Sequence, residues 1–128
     1  MMKKDIITTQ DAPNAIGPYS QAVRAGELLF VSGQLPVNPE TGAMAQTVKE
    51  QAAQSLANIK AILNEAGLGM EDIVKTTIFL TDMNHFGVVN EVYSRFFAGN
   101  YPARSTVQVA KLPKDADVEI EAIAIYSK

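Results

Sequence analysis

The chain of 128 residues contains no cysteine. That absence excludes disulfides, thiolate zinc sites and cysteine nucleophiles. Histidine is almost missing as well: His85 is the only one, which removes most transition-metal sites and most serine–histidine catalysis within one chain. The acidic residues form no cluster with the spacing of a magnesium site, so no metal is expected. No apolar stretch approaches the ~20 residues that span a bilayer. The opening Met-Met-Lys-Lys-Asp lacks the apolar core of a signal sequence, so a cytoplasmic protein without a membrane partner is expected. Basic runs are absent too, and the formal net charge is −3. A general phosphate-backbone binder is thereby disfavoured, and no nucleic-acid partner is expected.

What is present is an ordinary globular composition, with 47% apolar and 20% charged residues. There is no internal repeat, low-complexity tract or linker, so residues 1–128 read as a single domain. Asp5 to Thr9 reads as a short strand. Ser20 to Gly33 reads as a hairpin turning through Ala25-Gly26-Glu27, where glycine can take a positive φ. Residues 36–42, "PVNPETG", read as a loop. Thr47-Val-Lys-Glu50 fits a capping box, and Val48, Ala52, Leu56, Ile59, Leu63 and Ala66 then trace one helix face that Gly67 can end. Ile73 to Thr81 is β-branched and reads as a strand. A second helix places Phe86, Val89, Tyr93 and Phe96 inward, started by His85 and ending near Gly99. Strands over 105–111 and 118–126 finish the chain.

The order β-β-β-α-β-α-β-β predicts an α+β fold, with two one-sided helices covering one face of a six-stranded mixed sheet. The other face has no cover within the chain but still carries apolar residues, since both parities of "LLFVSG" and "IEAIAI" contain them. A bare apolar face marks an assembly surface, so a homo-oligomer is expected, a closed ring being one economical solution.

Several residues have both a structural and a chemical reading. Arg104, between Pro102 and a strand, is either a solvated or ion-paired arginine or a two-pronged carboxylate clamp. Glu119 and Glu121 alternate with apolar residues on the last strand. They mark a solvated face or, against another subunit, supply a buried base with a raised pKa. Tyr19, after Gly17-Pro18, packs its loop or offers a phenol to a ligand. Ser32-Gly33, at a strand end, forms a turn or lets backbone approach a ligand. Asn90 breaks the apolar pattern of the second helix and reads as solvated. No serine or threonine has a base nearby in sequence, so none is assigned as a nucleophile.

The segments "NAIGPYSQAV", "LLFVSGQLPVNPETG" and "YPARSTVQVAKLPKDADVEIEAIA" strongly resemble the RidA (YjgF) family of enamine/imine deaminases. The resemblance runs over practically the whole chain. It implies a chorismate-mutase-like (YjgF-like) fold assembled as a homotrimer with clefts between subunits. The implied reaction is hydrolysis of 2-aminoacrylate, 2-iminopropanoate and 2-iminobutanoate to 2-oxo acids and ammonia, with no cofactor. By resemblance Arg104 grips the substrate carboxylate, Glu119 positions or activates water, and Tyr19 completes the catalytic set. Ser32, Gly33, Asn90 and Thr106 match substrate-binding positions. Thr106 stands where many relatives have cysteine, which removes any thiol-dependent property but leaves hydrolysis intact. Two other functions compete. One is a non-catalytic module that binds a 2-oxo acid in the same cleft, and the other is an RNA-directed translation inhibitor or ribonuclease, disfavoured by the acidic balance.

Overall fold

A computed structural model describes residues 3–126. Met1 and Met2, which entered the reading of the chain's start, lie outside this range, as do residues 127 and 128. Strands β2 (Ala22–Ala25) and β3 (Leu28–Gln34) form the expected hairpin. Ala25 pairs with Leu28, so Gly26 and Glu27 alone make the turn, and Gly26 sits at φ 62°, a conformation that suits glycine. Strand β1 (Lys4–Ile7) runs antiparallel to β2. It stops short of Thr9 because the buried Gln21 carboxamide captures that residue's backbone. Thr9 N–H donates to Gln21 Oε1 at 2.7 Å, and Gln21 Nε2 donates to the Thr9 carbonyl at 3.0 Å.

Helix α1 (Val48–Glu65) begins at the predicted capping box. The Glu50 N–H donates to Thr47 Oγ1 at 3.1 Å, and the Thr47 N–H donates to Glu50 Oε1 at 3.3 Å. Its end follows the left-handed glycine pattern. Gly67 has φ 81°, and the Leu68 N–H closes back on the Leu63 carbonyl at 2.8 Å. Strand β4 (Ile73–Leu80) leads through a 3-10 turn (Met83–His85) into α2 (Phe86–Ser94). This helix is shorter than its apolar pattern implied. Ser94 Oγ donates to the Glu91 carbonyl at 2.7 Å, and the N–H groups of Arg95, Phe96 and Phe97 turn to carbonyls three residues back, which tightens the spiral before Gly99 is reached. Phe96 therefore lies beyond the helix, though it still packs on the core. Phe86, expected inward, is 36% exposed at the first helical position.

Strands β5 (Ala103–Gln108) and β6 (Val118–Ile125) complete one six-stranded sheet of order β1-β2-β3-β6-β4-β5. Only β4 and β5, joined through α2, run parallel. β5 starts two residues earlier than expected, since Ala103 and Arg104 already pair with Lys75 and Thr76. Arg104 is thus inside the strand rather than ahead of it. Beyond Gln108 the chain leaves the ladder toward a 3-10 turn at Pro113–Asp115.

Both helices pack on one sheet face. Leu29, Val31, Ile78, Leu80, Val118, Ile120, Ala122 and Ala124 meet Leu56, Ile59, Ile62 and Leu63 of α1 and Val89, Val92 and Tyr93 of α2 in one buried cluster. The other face is uncovered among the described residues. Pairing sets Phe30 opposite both Val23 and Ile123, and Leu28 opposite Ile125, across three adjacent strands. Phe30, Leu28 and Ile125 remain 42%, 37% and 39% exposed. Among the described residues no helix is long and apolar enough to cross a membrane.

The capping box gives a direct test of the helix start. Thr47→Ala removes the side-chain cap and should cost about 1 kcal/mol. A chain of this size should then melt roughly 3–5 °C lower. An unchanged melting temperature would show that the box contributes nothing.

Candidate active site

The β5 alternation sends Arg104 and Thr106 to the face that α2 covers. Arg104 pairs with Thr76, which is 1% exposed beneath α2, and Thr106 pairs with Ile78. The Arg104 guanidinium carbon lies 4.9 Å from the Tyr93 ring centroid and 5.5 Å from that of Phe86. Tyr93 is anchored in turn, because its hydroxyl and Thr76 Oγ1 share a hydrogen bond of 2.7 Å. Burial pushes the Tyr93 phenol above its ordinary pKa, against the opposing effects of the Thr76 hydrogen bond and the Arg104 charge. Asn90 is exposed and lies on the α2 face between Phe86 and Tyr93, since residues four and seven positions along a helix share a side. Thr106 Oγ1 is buried without a hydrogen-bond partner.

The chain has three arginines, and their fates differ. Arg95 pairs with Glu91 at 2.6 Å. Arg24 lies 3.7 Å over the Tyr126 ring and donates its Nε to the Gly26 carbonyl at 3.0 Å. Arg104 is half-buried yet makes neither a hydrogen bond nor an ion pair among the described residues. A guanidinium carries five N–H donors, and leaving them unspent in a partly dry setting costs free energy unless a ligand or solvent takes them.

The remaining candidates gather elsewhere. Glu119 pairs with Phe79, and Phe79 with Val107, so Glu119 belongs to the uncovered face. Gly33 touches it closely: a Cβ at position 33 would stand 2.6 Å from Glu119 Oε2 and 2.9 Å from its Cδ. Between Val31–Ala122 and Gln34–Ile120 the β3 strand advances three residues against two on β6. Ser32 and Gly33 form this bulge, a device that bends a strand and re-aims it. The bulge is tied to the Tyr19 segment. Ser32 Oγ donates to the Ser20 carbonyl at 2.6 Å, and the Ser32 N–H donates to the Gln21 carbonyl at 2.9 Å. Tyr19 itself is 54% exposed. Burial raises the Glu119 pKa, and the neighbouring Glu121 charge raises it further.

The seven predicted residues therefore fall into two sets. Arg104, Thr106 and Asn90 belong to the α2 side, whereas Glu119, Gly33 and Ser32 lie at the β3 bulge and the bare face, with Tyr19 in the segment tied to that bulge. Within one chain the sheet separates Arg104 from Glu119. Sequence reasoning missed three contributors. Phe86 and Tyr93 were read only as core positions, though their spacing of seven does place two rings on one helix side. Gln21 carries no sequence signal for its role. Its carboxamide also donates to the Ala12 and Pro13 carbonyls, at 3.3 Å and 2.8 Å, and so fixes the loop that leads to Tyr19.

The Endoribonuclease L-PSP family model matches residues 9–126. The chain belongs to this family. Salmonella typhimurium 2-iminobutanoate/2-iminopropanoate deaminase is 55% identical over 93% of this chain and 95% of its own length. The crystal structure of Escherichia coli TdcF with bound serine superposes with a TM-score of 0.94 at 55% identity, covering 96% of this chain and 99% of that one. The E. coli YjgF structure gives the same TM-score and coverage at 52% identity. The YjgF resemblance read from the sequence motifs is thus confirmed for family and for fold.

The contact between Gly33 and Glu119 can be tested without touching the carboxylate's chemistry. Gly33→Ala should stay folded, because the group in the way is the movable end of a side chain. It should lose roughly 1–3 kcal/mol and shift the carboxyl carbon resonance of Glu119 while leaving Arg104 resonances in place. An unmoved Glu119 resonance would show that the contact is loose.

Proposed function

We propose that the protein is a deaminase of reactive enamine and imine acids, hydrolysing compounds such as 2-aminoacrylate, 2-iminopropanoate and 2-iminobutanoate. Arg104 carries this reading. A half-buried guanidinium with unspent donors suits a planar carboxylate, which it binds through two parallel hydrogen bonds. The name of the Salmonella relative and the serine bound to the TdcF structure point to the same class of small carboxylate.

The chemistry asks little of the protein. The enamine takes a proton at carbon and becomes an imine. Water adds to the imine carbon, and the C–N bond breaks once nitrogen is protonated, leaving a 2-oxo acid and ammonia. Holding the carboxylate, placing one water and moving protons are sufficient, so positioning and general acid–base catalysis account for the rate. In this reading Arg104 holds the carboxylate with Asn90 and Thr106 beside it. Glu119 is the proton carrier, seated against Gly33, with Ser32 and Tyr19 as the further residues of this half. A raised carboxyl pKa suits a group that must both accept and donate a proton near neutrality.

The site is complete only when two copies meet. Arg104 and Glu119 occupy opposite faces of one sheet, and the bare apolar face provides the surface on which copies associate. A closed ring repeats such a contact around an axis, and the homotrimer implied by the family resemblance meets this need. We take residues 1–128 to act as one cytoplasmic domain in that ring. The ribonuclease name in the family description is not carried over, because a formal net charge of −3 and the lack of a basic run in the sequence disfavour a phosphate-backbone ligand.

A dehydratase-coupled assay with purified protein tests the reading. Arg104→Ala should lose about two to four orders of magnitude in kcat/KM through its two charge-assisted bonds, and Arg104→Lys should recover little. Glu119→Gln should lose turnover but still bind pyruvate, with Glu121→Gln much less affected. Unfolding and reassembling Arg104→Ala with Glu119→Gln in equal amounts should restore about a quarter of wild-type activity, because one site in four then draws both intact residues from different subunits. Pyruvate binding without any wild-type turnover would leave a 2-oxo-acid-binding module instead. No recovery in the mixture would refute the shared site.

A further inference from the structure

Arg104 must be held in place without its donors being used up. A carboxylate partner would fix the guanidinium but compete with any ligand carboxylate for the same N–H groups. The structure uses rings instead. Phe86 and Tyr93 stand seven residues apart, two turns along α2, and both lie within the distance at which a cation is attracted to an aromatic face. That attraction needs no acceptor atom, so it holds the cation without pairing its N–H groups to a competing carboxylate. Tyr93 is rigidly seated. It is 3% exposed, shares a hydrogen bond with the buried Thr76, and packs against Phe97 with ring centroids 4.8 Å apart. Phe86, at the first position of α2, is the solvent-side member of the pair.

We propose that Phe86 and Tyr93 form an aromatic clamp that positions the Arg104 guanidinium for carboxylate binding. Both are positioning residues, and the proposal rests on the reading of Arg104 as the carboxylate receptor. The clamp acts on the arginine and not on the reacting carbon. Its loss should therefore appear in binding and KM rather than in kcat, and by the same factor for every 2-oxo acid whatever its side chain.

The test uses the assembled protein, with dissociation constants for pyruvate and 2-oxobutanoate and steady-state kinetics in the coupled assay. Phe86→Leu and Tyr93→Leu should each raise KM and both dissociation constants about 5- to 30-fold, with kcat changed less than about twofold. Tyr93→Phe keeps the ring and should recover most of the loss. Arg104→Ala is the reference. If it still binds both acids normally, the reading of Arg104 fails and the clamp fails with it. If it loses them while folded Phe86→Leu and Tyr93→Leu keep wild-type KM, the clamp alone is overturned. Unequal effects on the two acids would also overturn it, since that pattern means the rings touch the substrate chain. Should Tyr93→Leu not fold, Phe86→Leu decides the matter, because Phe86 is partly exposed and its loss empties no core volume.

Discussion

Along β5 and β6 successive side chains leave opposite faces of the sheet, and the pairing between strands fixes which face each one takes. Arg104 aligned with Thr76 goes under α2; Glu119 aligned with Phe79 goes to the bare side. Glu119 cannot change faces without shifting β6 by one position, and that shift would expose Val118, Ile120, Ala122 and Ala124 while burying two carboxylates. The hydrophobic pattern that stabilises the core thus also keeps Glu119 on the face opposite Arg104. The same apolar alternation leaves Leu28, Phe30 and Ile125 without cover among the described residues, and the proposed assembly rests on that surface.

The α2 side shows how a cation can be fixed and kept available. Exposed ion pairs such as Arg95–Glu91 contribute little and occupy the donors they join. Arg24 shows an intermediate case, stacked on a ring but committed to a backbone carbonyl. At Arg104 the hydrogen bonding is displaced one step outward, to Tyr93 and Thr76, while the guanidinium lies near the Tyr93 and Phe86 rings. The Tyr93 phenol, held above its ordinary pKa by burial, stays neutral across the physiological range and adds no anion to compete with a ligand.

Much of the architecture was legible from local chemistry. The Thr47–Glu50 capping box, Gly67 beyond the helix end and Gly26 in the hairpin each act over a few residues, and each appears as expected. The elements that moved did so because of distant partners. β1 ended early because Gln21, twelve residues on, takes the backbone of Thr9. β5 began early because β4 pairs with Ala103 and Arg104. The division of the candidate residues had the same origin. A parity between Arg104 and Glu119 depends on register across three strands, which no window of sequence contains. Ser32-Gly33 was read as a turn or as a place where backbone approaches a ligand, and the close neighbour of Gly33 proves to be the Glu119 carboxylate.

That contact constrains how the sequence can change. Position 33 and the tip of residue 119 compete for one volume, so the two positions are not free to vary independently. A side chain can enter at 33 only after residue 119 has been shortened or turned aside, whereas Glu119 can be replaced while Gly33 stays. Substitutions at the pair are therefore coupled: a methyl group at 33 and a glutamate at 119 coexist only with the carboxylate turned out of its present place.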